Sequence, residues 1–169
     1  MKKLVLLFLI GTVSLSYGQQ AQLDEDVKSV DHIIAALYDV ISGDPGTPRN
    51  WDRFRNLFIP EARLIPTLKN KEGKIGYRII TPDEYVELFS TRITTGFFER
   101  ELHRKTERYG AIVHTFSTYE TKEKKEGPVT NRGINSIQLF FDGDRYYVTN
   151  IFWSAESMGF PLPDKYLSN

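Results

Sequence analysis

The sequence predicts an α+β domain in which helices come first and a run of antiparallel strands follows. Three observations carry this. Val27, Val30, Ile34, Leu37 and Ile41 recur at helical spacing and form one apolar stripe. Thr81-Pro82-Asp83-Glu84 is a capping box with proline at the first helical position. Beyond Gly96 the segments are rich in β-branched and aromatic residues, and Asp142-Gly143 between two of them marks a hairpin.

The first eighteen residues stand apart. Met1-Lys2-Lys3 is a positive start, Leu4 to Val13 is apolar, and Ser16-Tyr17-Gly18 fits the small-x-small rule for cleavage before Gln19. The apolar run is shorter than the about 20 residues a membrane span needs. The expectation is a signal peptide over residues 1–18, a single domain over 19–169, and export to the periplasm or beyond. There is no cysteine, so neither a lipid anchor, a disulfide nor a thiolate site can form, and no membrane anchor is expected after cleavage. The full chain has 22 basic and 22 acidic side chains, and losing Lys2 and Lys3 leaves it slightly acidic. A nucleic-acid partner needs a basic surplus, so none is expected.

The mature chain then reads element by element. A helix starting at Asp24, with Asp24, Glu25 and Asp26 at its positive end, stops at Ser42-Gly43 before Pro45. Asn50 caps a second helix, Trp51 to Phe58, ended by Pro60. Short strands follow at Ala62–Leu68 and Ile75–Ile80. The capping box opens a third helix carrying Tyr85, Leu88, Phe89 and Ile93 inward. Strands are expected at Phe97–Tyr109, Ile112–Thr121, Asn131–Phe141 and Arg145–Ala155. A two-residue Asp-Gly loop would pair Phe141 with Asp144. Asn135 then falls opposite Asn150 on the apolar face beside Ile137 and Leu139, and Arg132 falls opposite Trp153 on the other face.

Three stretches, DHIIAALYDVISG (Asp31 to Gly43), IVHTFSTYE (Ile112 to Glu120) and RGINSIQLFFDGDRYYVTNIFWSAE (Arg132 to Glu156), carry a family likeness. In them, and over essentially the whole mature chain, the sequence resembles the nuclear transport factor 2-like superfamily, most of all its uncharacterised exported bacterial members. That group includes ketosteroid isomerase, scytalone dehydratase, limonene-epoxide hydrolase and the SnoaL-like polyketide cyclases. The resemblance implies a curved antiparallel sheet wrapped around two to three helices into a cone, commonly a homodimer, with a cavity at its open end. One fold hosts many functions, so activity must be argued from residues.

Tyr38, Trp51 and Phe54 are either helix-to-sheet packing or, in an open cone, the apolar wall of a small-molecule site. His114, between Val113 and Thr115, is a candidate base, or a histidine at the edge of the core bonded to a carbonyl. Glu99, Glu101, His103 and Lys105 alternate along one strand face. They read as a solvated or dimer-facing surface, or else Glu101 and His103 together edge a cavity. Asn135 and Asn150 either bond each other or line a wet pocket. The three histidines share no metal-ligand spacing, and no phosphate loop or nucleophile elbow occurs, so no metal or cofactor is expected. The favoured function is binding of a small apolar molecule. The rivals are a lyase or isomerase using His114 or Glu101 as base, and an interaction module with a filled cone.

Overall fold

The computed structural model describes residues 18–167, so the expected signal peptide lies outside the described residues except for Gly18. Among the described residues no helix is long and apolar enough to cross a membrane. Residues 18–25 are helical and a turn over 26–29 follows. The helix expected to run unbroken from Asp24 is therefore two. The break has a physical cause: buried Asp26 leaves the helix to meet Arg53, and Ser29 starts the next helix as its cap, accepting from the His32 amide at 3.2 Å.

That helix, α1 (Val30–Ile41), buries Ile33, Ile34, Leu37, Tyr38 and Ile41. It ends at Ser42, as the Ser-Gly-x-Pro pattern predicts. Arg49 then serves the freed carbonyls, donating to Ile41 O at 2.9 Å and Gly43 O at 2.8 Å. Asn50 caps α2 (Trp51–Asn56) by accepting from the Arg53 amide at 3.0 Å. α2 stops two residues earlier than expected, and Pro60 lies inside strand β1 (Phe58–Lys69) instead of ending a helix. The ladder tolerates it because pairing to the neighbouring strand skips from Phe58 to Arg63.

Strand β2 (Ile75–Tyr77) is short, with Ile80 still bridging Leu64. The capping box of α3 (Pro82–Arg92) forms in both directions, Glu84 N to Thr81 Oγ1 at 3.2 Å and Thr81 N to Glu84 Oε2 at 2.8 Å. Phe89 is buried and Tyr85 half-buried, whereas Ile93, expected inward, is exposed. It is the C-cap and leaves helical geometry at φ −89°, ψ 94°. Thr81→Ala is expected to lower the unfolding free energy by about 1 kcal/mol in urea titration; an unchanged midpoint would contradict the cap.

Two short 3-10 helices, Glu156–Met158 and Asp164–Tyr166, end the described chain, and before them four long strands, β3 (Phe98–Tyr109), β4 (Ile112–Lys122), β5 (Val129–Phe141) and β6 (Tyr146–Ala155), join β1 and β2. They form one six-stranded sheet in the order β2-β1-β6-β5-β4-β3, antiparallel except where β1 lies parallel to β6. β2 and β3 are free edges, so the sheet is not closed. Its inner face packs on the helices, with Ile137, Leu139 and Val148 fully enclosed against Ile33, Ile34 and Leu57.

The last hairpin departs from expectation. Phe141 pairs with Tyr146, not Asp144, because the Asp142 carboxylate accepts from the amides of Asp144 and Arg145 and so opens a four-residue turn. Leu139 faces Val148, and then Gln138 faces Asn150, so Thr149 is an extra residue in β6. This bulge reverses the sides. Asn135 lies opposite Trp153, and the expected Asn135–Asn150 pair does not form. Trp153 turns to the inner face, so the expected Arg132–Trp153 stack is replaced by a two-bond ion pair from Arg132 to Glu156. A second bulge, at Leu102 in β3, places Glu101 opposite Tyr119 but His103 opposite Thr118.

Candidate functional site

The helices and the inner face of the sheet enclose a cavity of about 230 Å³. At a water's share of roughly 30 Å³ this is room for a single-ring molecule. α1 contributes Leu37, Tyr38 and Ile41, α2 contributes Phe54, and α3 contributes Tyr85. The sheet side presents Glu99, Tyr119, Asn135, Ile137, Ile151 and Trp153. Aromatic rings dominate, and they are braced from behind: Trp51 meets Phe54 edge-on at 5.8 Å, and Tyr85 stacks on Phe54 at 5.4 Å. Gly133 makes room for Tyr119, since a Cβ there would sit 2.5 Å from the Tyr119 hydroxyl.

Thr121 and Asn131 also line the wall, and two further polar features stand out. The first is a chain of hydrogen bonds running out of the cavity. Ser117 Oγ donates to Glu101 Oε1 at 2.5 Å, so its oxygen accepts the Tyr38 hydroxyl at 2.7 Å, and Asn135 Nδ2 donates to Tyr38 Oη at 3.1 Å. A carboxylate only accepts, which fixes the direction of the whole chain. Tyr38 therefore directs its proton toward Ser117, accepts from Asn135, and has no proton left to offer the cavity. Glu101 also meets Arg104 at 3.5 Å and lies in an adjoining cleft.

The second is Glu99. Among the described residues its carboxyl has no hydrogen bond and no ion pair, and burial pushes its pKa up to about 8. Its field falls on three tyrosines, Tyr38, Tyr85 and Tyr119, whose hydroxyls are themselves held well above the ordinary value, first by burial and then by Glu99. No lysine, arginine or histidine lines the cavity among the described residues.

Of the residues singled out from sequence, Tyr38, Phe54 and Asn135 are on the cavity wall. Trp51 is one layer behind it. His114 is exposed on the outer sheet face, bonded to Ser136 at 2.9 Å beside an open surface groove. His103 faces the same outer side because of the Leu102 bulge, and Asn150 does so because of the Thr149 bulge. The two histidines do not meet: His103 pairs with Thr118 and His114 with Glu107. Several wall residues, Tyr119, Thr121 and Asn131 among them, were not singled out from sequence, and the most telling are Glu99, Ile151 and Trp153. Nothing local marks Glu99, which sits in a charged alternating run, and the other two depend on the bulge.

No protein-family model and no curated protein matches the chain. Solved structures do. The Kfla4162 protein from Kribbella flavida aligns over 83% of this chain and 92% of its own, at TM-score 0.52 and 7% identity. A protein described as a calcium/calmodulin-dependent protein kinase II association domain, from Xanthomonas campestris, aligns over 74% and 81%, at TM-score 0.50 and 16% identity. An NTF2-like protein of unknown function from Methylobacillus flagellatus KT aligns over 75% and 94%, at TM-score 0.48 and 15% identity. The chain shares the fold of the Kribbella flavida and Xanthomonas campestris proteins. At these identities the likeness concerns architecture alone.

Proposed function

We propose that the protein binds a small, largely apolar molecule in this cavity, with Glu99 and Tyr38 as its polar contacts. The observation that carries the reading is an aromatic cavity holding one carboxyl that no protein group satisfies. The Glu99 side chain is half-buried, and a ligand that supplies a partner for its carboxyl offsets the cost of the desolvation it already bears. The same proposal places the mature chain outside the cytoplasm, supported by the leader pattern of residues 1–18. It pairs two copies through the outer sheet face, where Ile112, Phe140 and Phe152 are exposed.

A second reading has one specific observation in its favour. A carboxyl whose pKa is about 8 suits proton transfer near neutral pH, so an isomerase or lyase of this fold would use Glu99 as its base. His114 lies on the opposite face and Glu101 is engaged by Ser117 and Arg104, which removes both from the cavity itself.

One experiment separates the readings. Thermal unfolding with single-ring compounds should give saturable shifts, about 2.7 kcal/mol of stabilisation at a hundredfold excess over Kd. Ile151→Trp, which fills the cavity from β6, should abolish the shifts. Shifts that persist in that variant place binding elsewhere. Mass spectrometry of the recovered compound then distinguishes binding from conversion.

A further inference from the structure

We infer that the ligand is a small protonated amine, its ammonium on the Glu99 carboxyl and its apolar part against the cavity rings. This rests on the cavity being a ligand site and adds the chemical class. Three features of the wall point the same way. The one ionisable carboxyl in it has no cationic partner, and no basic side chain is present to receive an anion. The rings of Tyr38, Phe54, Tyr85, Tyr119 and Trp153 present π-systems, whose faces attract cations. Tyr38 gives its proton to Ser117 and so has no donor to offer an anion.

An alcohol or ketone would need Glu99 only as a hydrogen-bond donor. Asparagine or serine supplies that without burying a group that ionises. An ammonium uses what a carboxyl alone provides, a charge-assisted bond in a dry site. Binding then transfers no proton between the partners. The ammonium arrives charged, and Glu99, if protonated, releases its proton to solvent. The titratable groups facing Glu99 are Tyr38 from α1, Tyr85 from α3 and Tyr119 from β4, all phenols that stay neutral in this range. In the adjoining cleft Asp31 and Glu101 are paired to Arg104, Asp39 to Arg53, and Glu120 to Arg100 and Lys122, with Glu126 and Lys125 beside them.

Calorimetric titration of the full chain with benzylamine and benzyl alcohol, matched in skeleton, tests this. Benzylamine should bind at least about tenfold more tightly than the alcohol near pH 8. Below that pH its affinity should fall about tenfold for each unit the pH is lowered, as Glu99 takes up a proton that binding must release, and that release should show as a dependence of the heat on buffer. Glu99→Gln, shown folded by its melting curve, should erase the amine's advantage over the alcohol. Equal affinity for the two probes, pH-independent amine binding, or an advantage that survives Glu99→Gln overturns the amine assignment and leaves the cavity reading intact. Binding of neither probe at about 10 mM, where even weak ligands of a few kcal/mol register, overturns both.

Discussion

Arg53→Met is expected to lower the unfolding free energy by about 3–5 kcal/mol, measured by urea denaturation. Asp26, only 4% exposed, receives both of its strong bonds from this one guanidinium, at 2.7 Å from Nε and 3.0 Å from Nη2. The third nitrogen bonds Asp39, and the two carboxylates hold the Arg53 pKa above its ordinary value. One side chain thereby joins the turn before α1, α1 itself and α2. Removing it leaves a buried charge with only Gln22 as a side-chain donor at 2.8 Å. Most of the loss comes from that stranded carboxylate, so Asp26→Asn added to Arg53→Met should recover part of it. A single variant as stable as the parent would mean that Asp26 escapes to solvent.

The second large effect is a pH dependence centred on Glu99. Its ordinary value is 4.5, and the folded chain holds it at about 8. The folded state therefore binds a proton that the unfolded state has released. The contribution is complete below 4.5 and is lost as pH rises toward 8, at up to about 1.4 kcal/mol per unit and about 3–5 kcal/mol across the window. The lowered carboxyls of Glu84, Asp142 and Glu156 act in the opposite sense, losing stability as pH falls, and all three are at the surface. Comparing Glu99→Gln with the parent isolates the effect. The variant should gain on the parent steadily from pH 5 to pH 8, and parallel curves for the two proteins would refute an enclosed Glu99 carboxyl.

Local chemistry was legible in the sequence and strand phase was not. The capping box at Thr81 and Glu84, the stop at Ser42-Gly43 and the Asn50 cap each depend on neighbours within four residues, and each forms. The four long strands were legible from composition for the same reason. The register was not, because the Asp142 carboxylate widens a turn that the Asp-Gly pair alone would make tight. Nor were the bulges at Leu102 and Thr149, which no residue type announces. The consequence for the site is direct. Tyr38 and Phe54 come from helices, where apolar periodicity names the inward face. Among the strand candidates Asn135 kept its place, while His103 and Asn150 lie beyond a bulge and ended outside. Glu99 precedes the β3 bulge, but a charged alternating run gives a single strand no way to say which side is dry.

Thr149 works as a parity switch. Every side chain after it in β6 exchanges inside for outside relative to an unbulged strand, which is why Ile151 and Trp153 meet the cavity. Part of the pocket's character is thus written in chain length instead of residue identity. A β6 strand paired onward from Val148 without the bulge would turn Asn150, Phe152 and Ser154 inward in place of Ile151 and Trp153 in a single event, a larger change of binding chemistry than any one substitution could make. Proteins sharing this architecture can therefore diverge in what they hold while their strands still superpose.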